Sequence, residues 1–360
     1  MKNMSRNEIA EVLKTRIPCF DNRVLYIMGG GNTASLYQEG LLREGLLDKI
    51  SGYCLNDSSK WGTKIFGKNC VNPESLKGQK DIYVLICTPQ PQYVKEMNEQ
   101  LDSLGLEHCL LEEAILKNHA DEVLEVYDML YDQKSKDVYA NMLWCRLKGE
   151  YPDCDLITKD QYFCWNEFTN KNIGNVFIDC GAYVGDSMER YIWNKDGVVD
   201  KIICFEPDKN NYRAMQFRTE RLKNEWNLSD EKIMLLPYGV SDSSMEGVVQ
   251  EYATNNGLGS KIIQGGSREG TSIKIVALDD VINEKIDFLK ADIESYEYKM
   301  LLGAEKTIKK YKPCIAICIY HNSVDFYSVP LLVKRMMPEA RIAVRHHSNT
   351  LAETVLYAFA

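Results

Sequence analysis

Residues 176 to 187 read Val176-Phe177-Ile178-Asp179-Cys180-Gly181-Ala182-Tyr183-Val184-Gly185-Asp186-Ser187. Three consecutive apolar residues, Val176 to Ile178, predict a short buried strand ending at Asp179. A turn containing Gly181, Ala182 and Gly185 then feeds a helical pattern. A strand, a ligand-hugging turn and a helix follow one another, as at the start of a Rossmann-like sheet.

A dinucleotide fingerprint has the order G-x-G-x-x-G, which brings a pyrophosphate against backbone N–H groups at a helix N-terminus. Here the order is D-x-G-x-x-x-G, with Asp179 two residues before the first glycine. A carboxylate beside the loop repels a phosphate but suits a cationic ligand, and S-adenosylmethionine (SAM) carries an ammonium and a sulfonium. The next apolar run, Lys201 to Phe205, ends in Glu206-Pro207-Asp208, which places an acid where a ribose diol would lie. Taken singly, the loop could be a tight turn beside a helix-dipole acid, and Glu206 a surface acid before Pro207. Together they point to SAM.

From about Asp160 to Ala360 the chain resembles the FkbM-type family of SAM-dependent methyltransferases. The matching pieces are Val176-Phe-Ile-Asp-Cys-Gly-Ala182, Phe205-Glu-Pro207, Leu278-Asp-Asp280, Phe288-Leu-Lys-Ala-Asp-Ile-Glu294, Leu302-Gly-Ala304, Ile319-Tyr-His321 and Glu353-Thr-Val-Leu-Tyr-Ala358. Their order and spacing carry the resemblance, which implies an O-methyltransferase with SAM as cofactor and no obligatory metal. The expected cofactor contacts are Asp179, Gly181, Ala182, Gly185, Ser187, Glu206 and Asp242. Where the family most often has glycine after the acid of the Asp-Ile-Glu piece, this chain has Ser295.

The length of 360 residues suits two domains, at about 150 residues each. A formal net charge of -9, with no Lys/Arg cluster interleaved with aromatics, argues against a nucleic-acid partner. The 12 cysteines form no C-x-x-C pair, and Cys314 and Cys318 alternate with isoleucines as small core residues do. A thiol-rich chain with no signal-peptide core and no run of roughly 20 apolar residues is expected in the cytoplasm, without a membrane span.

Before this region, Arg23-Val-Leu-Tyr-Ile-Met28 leads into Gly29-Gly-Gly-Asn-Thr-Ala34 and a helix to about Arg43, a second strand, glycine turn and helix. With strands near Gly52 to Leu55 and Ile82 to Cys87, residues 1–115 are predicted to form a small parallel-sheet domain behind an N-terminal helix. It resembles the nucleotide-binding N-terminal domains of some sugar-modifying enzymes, with Gly29, Gly31 and Asn32 as the candidate nucleotide loop. The acid wanted after the second strand is only imperfectly offered by Asn56-Asp57, so a packing or docking role stands beside nucleotide binding. Residues 116–150 read as a helical bridge.

Residues 151–360 are then the methyltransferase domain, with Thr158-Lys-Asp-Gln-Tyr-Phe163 in the position that lies over the cofactor in the family. Strands near 175–179, 201–206, 232–236, 286–291 and 314–320, with an antiparallel pair at 341–345 and 354–359, predict a seven-stranded class I methyltransferase-like sheet. Residues 247–276 look like a β-rich insertion with a Gly-rich loop at 257–270. The fold class is α/β, two Rossmann-like domains joined by helices.

Lys290-Ala-Asp-Ile-Glu294 lies just past an apolar strand, at the edge where such sheets bind ligands. Asp292 and Glu294, on one side of an extended segment, could meet an acceptor hydroxyl, the amine of SAM or a divalent ion; the bland reading makes them acids at the start of the next helix. His321, after Cys314 to Tyr320, is either a catalytic base or a structural histidine. The reading adopted is a SAM-dependent O-methyltransferase acting on a small-molecule or glycan acceptor, such as a sugar or polysaccharide precursor. Its catalytic candidates are His321, Asp292 and Glu294, and no metal is called for. The alternative is a nucleotide-sugar- or NAD-binding protein with a non-catalytic methyltransferase-like half.

Overall fold

The computed structural model describes residues 4–15, 17, 23–29, 32–170, 175–251, 260–263 and 271–359. The chain divides into two compact units. The first comprises Met1–Ile157 with Tyr320–Ser328 and Val344–Thr354; the second comprises Thr158–Ile319, Val329–Ala343 and Val355–Ala360.

The first unit opens with α1 (Arg6–Leu13), held at its start by a capping box between Ser5 and Glu8 and burying Ile9 and Leu13. There follow β1 (Val24–Met28), α2 (Asn32–Arg43), β2 (Ile50–Cys54), β3 (Lys64–Ile65), β4 (Lys68–Val71), β5 (Ile82–Ile86), α3 (Pro91–Leu104) and β6 (Glu107–Leu110). The sheet order is β3-β4-β2-β1-β5-β6, parallel throughout except for the antiparallel β3–β4 pair. Taken from β4 to β6, that is the doubly wound order 3-2-1-4-5. The short β3–β4 pair leaves no alternation for a sequence to show, since β3 has only two residues, Lys64–Ile65, and β4 reads Lys68-Asn-Cys-Val71. Three helices, α4 (Leu111–Asn118), α5 (Ala120–Met129) and α6 (Gln133–Lys148), complete the unit. Asp132 caps α6 by accepting from the Ser135 amide at 2.7 Å, and Gly149 ends it in the left-handed conformation.

The second unit holds α7 (Asn166–Thr169), β7 (Val176–Cys180), α8 (Asp186–Asn194), β8 (Lys201–Phe205), α9 (Lys209–Trp226) and β9 (Ile233–Leu236). After these come β10 (Tyr238–Val240), β11 (Met245–Glu251), β12 (Ser260–Ile263), β13 (Thr271–Val276), α10 (Leu278–Val281), β14 (Phe288–Ala291), α11 (Glu297–Leu302), α12 (Glu305–Tyr311) and β15 (Cys314–Cys318). The chain ends with α13 (Asp325–Met336), β16 (Arg341–His346) and β17 (Thr354–Phe359). The seven-stranded sheet has the order β16-β17-β15-β14-β7-β8-β9, with β17 antiparallel to β15. From β7 the chain winds outward through β8 and β9, then resumes on the other side with β14 and β15, so the switch point lies between β7 and β14. Ligands of open α/β sheets bind at that place, outside the carboxyl ends of the strands.

Behind the switch point the core is aromatic. Phe177 stacks on Tyr191 at 4.5 Å between centroids, and Phe288 stacks on Phe168 at 4.9 Å. Each such ring contributes about 1.5–3 kcal/mol by burial, enough to hold both strand ends in place. A smaller sheet of order β10-β13-β11-β12 corresponds to the β-rich insertion but begins before residue 247. Residues 257–259 and 264–270 of the Gly-rich loop lie outside the described residues.

Candidate active site

Parallel pairing sets Asp179 directly beside Lys290, one at the end of β7 and the other within β14. Both are buried, and the Lys290 ammonium lies 3.0 Å from the Asp179 carboxylate. The same ammonium donates to the Gly181 carbonyl at 2.7 Å and stands 5.2 Å above the Tyr162 ring. Burial pushes the Asp179 carboxyl up, against the pull of Lys290. Burial would lower Lys290, but the charges of Asp179 and Asp292 outweigh it and keep the ammonium protonated.

The glycine turn is pinned from both sides. Gly181 and Ala182 both donate their amides to the Phe205 carbonyl at 3.0 Å, which ties the loop to the end of β8. Gly181 has φ +76° and lies against the backbone of Asp292, so no side chain fits there. Gly185, at φ +81°, caps α8, and Ser187 lies buried in the first turn of that helix. The glycines therefore serve a close backbone approach as well as a turn.

Glu206 follows β8 and is buried. Its carboxylate accepts the amides of Tyr183 and Asp208, both at 2.8 Å. Burial lifts its pKa to about 7, opposed by those two hydrogen bonds. Asp242, just beyond β10, is exposed and accepts the Ser241 hydroxyl at 3.0 Å.

Past β14, Asp292 accepts the Tyr162 hydroxyl at 2.8 Å, and the Tyr162 amide donates to the Tyr357 hydroxyl at 2.9 Å. The segment beginning Thr158 thus reaches the acid with Tyr162, which the sequence quoted but gave no role. Lys290 was passed over in the same way; its signal was a charge inside the apolar run Phe288–Ala291. One expectation is corrected here. Asp292 and Glu294 do not share a side of an extended segment, because Glu294 (φ +55°) and Ser295 (φ +78°) turn the chain through left-handed conformations. That geometry accounts for the glycine the family favours at 295. Buried Glu297 closes the turn by accepting the Ile293 amide at 2.8 Å.

His321 follows β15 and is grouped with the first unit, buried, its ring 4.1 Å from that of Tyr320. Asn322 accepts the amides of Val324 and Asp325 at 3.0 Å and so caps α13. Also in the first unit, Gly29 ends β1 at φ +98° against the backbone of Cys87, and Asn32 opens α2. Gly31 lies outside the described residues. Asp57 accepts the Ser59 amide at 3.0 Å, and Asn56 pairs with Gln100 at 2.9 Å, so both side chains are engaged within the unit.

A parallel sheet with antiparallel β17 and an acid-glycine loop at its switch point defines an α/β unit with a doubly wound, mixed sheet. Residues 179–341 match the family model described as Methyltransferase FkbM domain. Over 99% of its length the chain is similar to the whole (100%) of the crystal structure of methyltransferase FkbM from Methylobacillus flagellatus KT, with 18% identity and a TM-score of 0.59. The SAH-bound methyltransferase of Podospora anserina aligns over 66% of this chain and 87% of its own, with 12% identity and a TM-score of 0.30. Spermidine synthase from Thermotoga maritima aligns over 54% and 55%, with 12% identity and a TM-score of 0.30. No curated protein matches the chain. Among the described residues, no helix is long and apolar enough to cross a membrane.

Proposed function

We propose that the chain is a SAM-dependent methyltransferase that methylates a hydroxyl of a small-molecule or glycan acceptor, such as a sugar precursor. The observation that carries this reading is the pair of buried acids, Asp179 and Glu206, at the ends of adjacent strands on either side of a glycine turn. Asp179 is completely buried with the Lys290 ammonium 3.0 Å away, an acid beside the loop where a cationic ligand would sit. Glu206 is the acid for the ribose hydroxyls, with Gly181, Ala182, Gly185 and Ser187 shaping the loop and Asp242 beyond it. When bound, SAM supplies an electrophilic methyl group on its sulfonium.

The protein's part is to hold the acceptor oxygen in line with that methyl. Orientation contributes roughly 7–11 kcal/mol and a general base about 3–5 kcal/mol, so positioning dominates. Asp292, fixed by Tyr162, and Glu294 are assigned to the acceptor hydroxyl, and His321, in the first unit, is the separate candidate for the base. The first unit, through Gly29, Gly31 and Asn32, is assigned to acceptor recognition or docking.

Thermal shift tests the reading. A ligand at a hundredfold excess over Kd stabilises by about 2.7 kcal/mol, which is readily measured. SAM and S-adenosylhomocysteine should raise Tm and NADH should not. A shift with NADH and none with SAM would replace this reading with dinucleotide binding.

A further inference from the structure

We infer that Lys290 is a positioning residue for the cofactor loop: one ammonium grips the Asp179 carboxylate and the Gly181 carbonyl, and so presents a fixed anion to a cationic ligand. The inference rests on the reading of this loop as the SAM site.

A lysine in the middle of a buried strand is costly. All of Phe288–Ala291 is buried, and Lys290 is only 2% exposed. Taking an ammonium out of water costs several kcal/mol even after relaxation, and an apolar side chain of the same length would spare that cost. Packing alone therefore does not account for the residue.

Its surroundings do. Asp179 is completely buried and the Lys290 ammonium lies 3.0 Å from its carboxylate, so Lys290 is what balances its charge. The other ionisable groups acting on Asp179 are Asp186 at the start of α8 and Asp292 past β14, and both oppose its ionisation. The Cys180 and Cys204 thiols nearby are pushed up by burial and stay neutral. Removing the ammonium would leave a desolvated carboxyl facing two acids, and such a group takes up a proton instead of staying charged. The bond to the Gly181 carbonyl adds a mechanical role, because it ties the cofactor turn on β7 to the strand that carries Asp292.

The test is SAM affinity by calorimetry from pH 6 to pH 9 for wild type, Lys290→Met, Asp179→Asn and the double variant. The readout is the ratio of Kd to that of wild type, since Glu206 titrates in all four proteins. For Lys290→Met the ratio should grow on the order of tenfold as pH falls, as Asp179 becomes neutral. For Asp179→Asn, and for the double variant, it should be raised but constant with pH. A ratio for Lys290→Met that is the same at every pH, with only Tm lowered, would reduce Lys290 to a structural role and overturn the inference while leaving SAM binding intact. If Lys290→Met does not fold, the double variant decides. Removing the orphaned charge should restore folding, and a double variant as unstable as the single one overturns the inference. Wild type that binds no SAM at any pH overturns both this inference and the function on which it rests.

Discussion

Gly181 and Asp292 approach so closely that a Cβ on residue 181 would lie 2.9 Å from the Asp292 carbonyl carbon, and nearer still to its oxygen. The turn after β7 and the turn after β14 are thus pressed together with only a glycine between them. Gly181→Ala would need either a backbone shift in the centre of the sheet or a strained φ, and should cost more than about 2 kcal/mol. At Gly185 the nearest atoms to such a Cβ are flexible methionine carbons of Met188 and Met215, at 3.0 and 3.1 Å. Denaturant melts should therefore rank Gly181→Ala well below Gly185→Ala. Equal stability of the two would mean that the close approach is not a constraint.

Glu206 makes stability depend on pH with a definite sign. Its folded-state pKa of about 7 lies above the unfolded value of roughly 4.3, so between those limits the folded protein binds the extra proton. Stability from this group is present below about pH 4.3 and is lost as pH rises through 7, with an upper bound of about 4 kcal/mol. Without ligand, Glu206→Gln should gain stability relative to wild type between pH 5 and pH 8. A relative gain in the opposite direction would show that Glu206 is stabilised as the carboxylate. With SAM present, Glu206→Ala should weaken binding roughly 10- to 100-fold, from the loss of charged hydrogen bonds worth about 1.5–3 kcal/mol.

Ser295 occupies a left-handed position, φ +78°, directly after Glu294 at φ +55°. A side chain there costs about 1–2 kcal/mol, and a β-branched one costs more. Ser295→Gly should keep stability within about 1 kcal/mol of wild type, because relief of strain offsets the entropy of glycine. Ser295→Val should lower it by more than about 2 kcal/mol. Chemical denaturation of the three proteins measures the ranking, and a valine variant as stable as the glycine variant would contradict it.

The sheet at the switch point was legible because its strands are short, mostly apolar and punctuated by turn residues: Val176–Cys180 before Gly181, and Lys201–Phe205 before Glu206-Pro207. Residue spacing also announced the acids at their ends. Lys290 escaped because its partner, Asp179, is 111 residues away in the chain and becomes a neighbour only through β7–β14 pairing. Tyr162 escaped for the same reason, since its hydroxyl meets Asp292 from 130 residues away. The turn at Glu294 and Ser295 was read as extended because sequence alternation cannot report the sign of φ where no glycine marks it.

His321 separates a chemical role from a structural one. It is buried, three residues past the end of β15 (Cys314–Cys318). As the base it acts only once an acceptor hydroxyl is positioned, so His321→Ala should lower turnover by roughly 10²-fold and leave SAM affinity within about twofold. Circular dichroism and Tm must accompany the measurement, because a folding loss would assign the residue to packing. A divalent ion would shift the argument, since a metal can itself lower the pKa of an acceptor hydroxyl. The expected outcome is that chelator leaves turnover unchanged. Activity that disappears with chelator and returns with magnesium would instead make Asp292 a metal ligand and take the proton-transfer role away from His321.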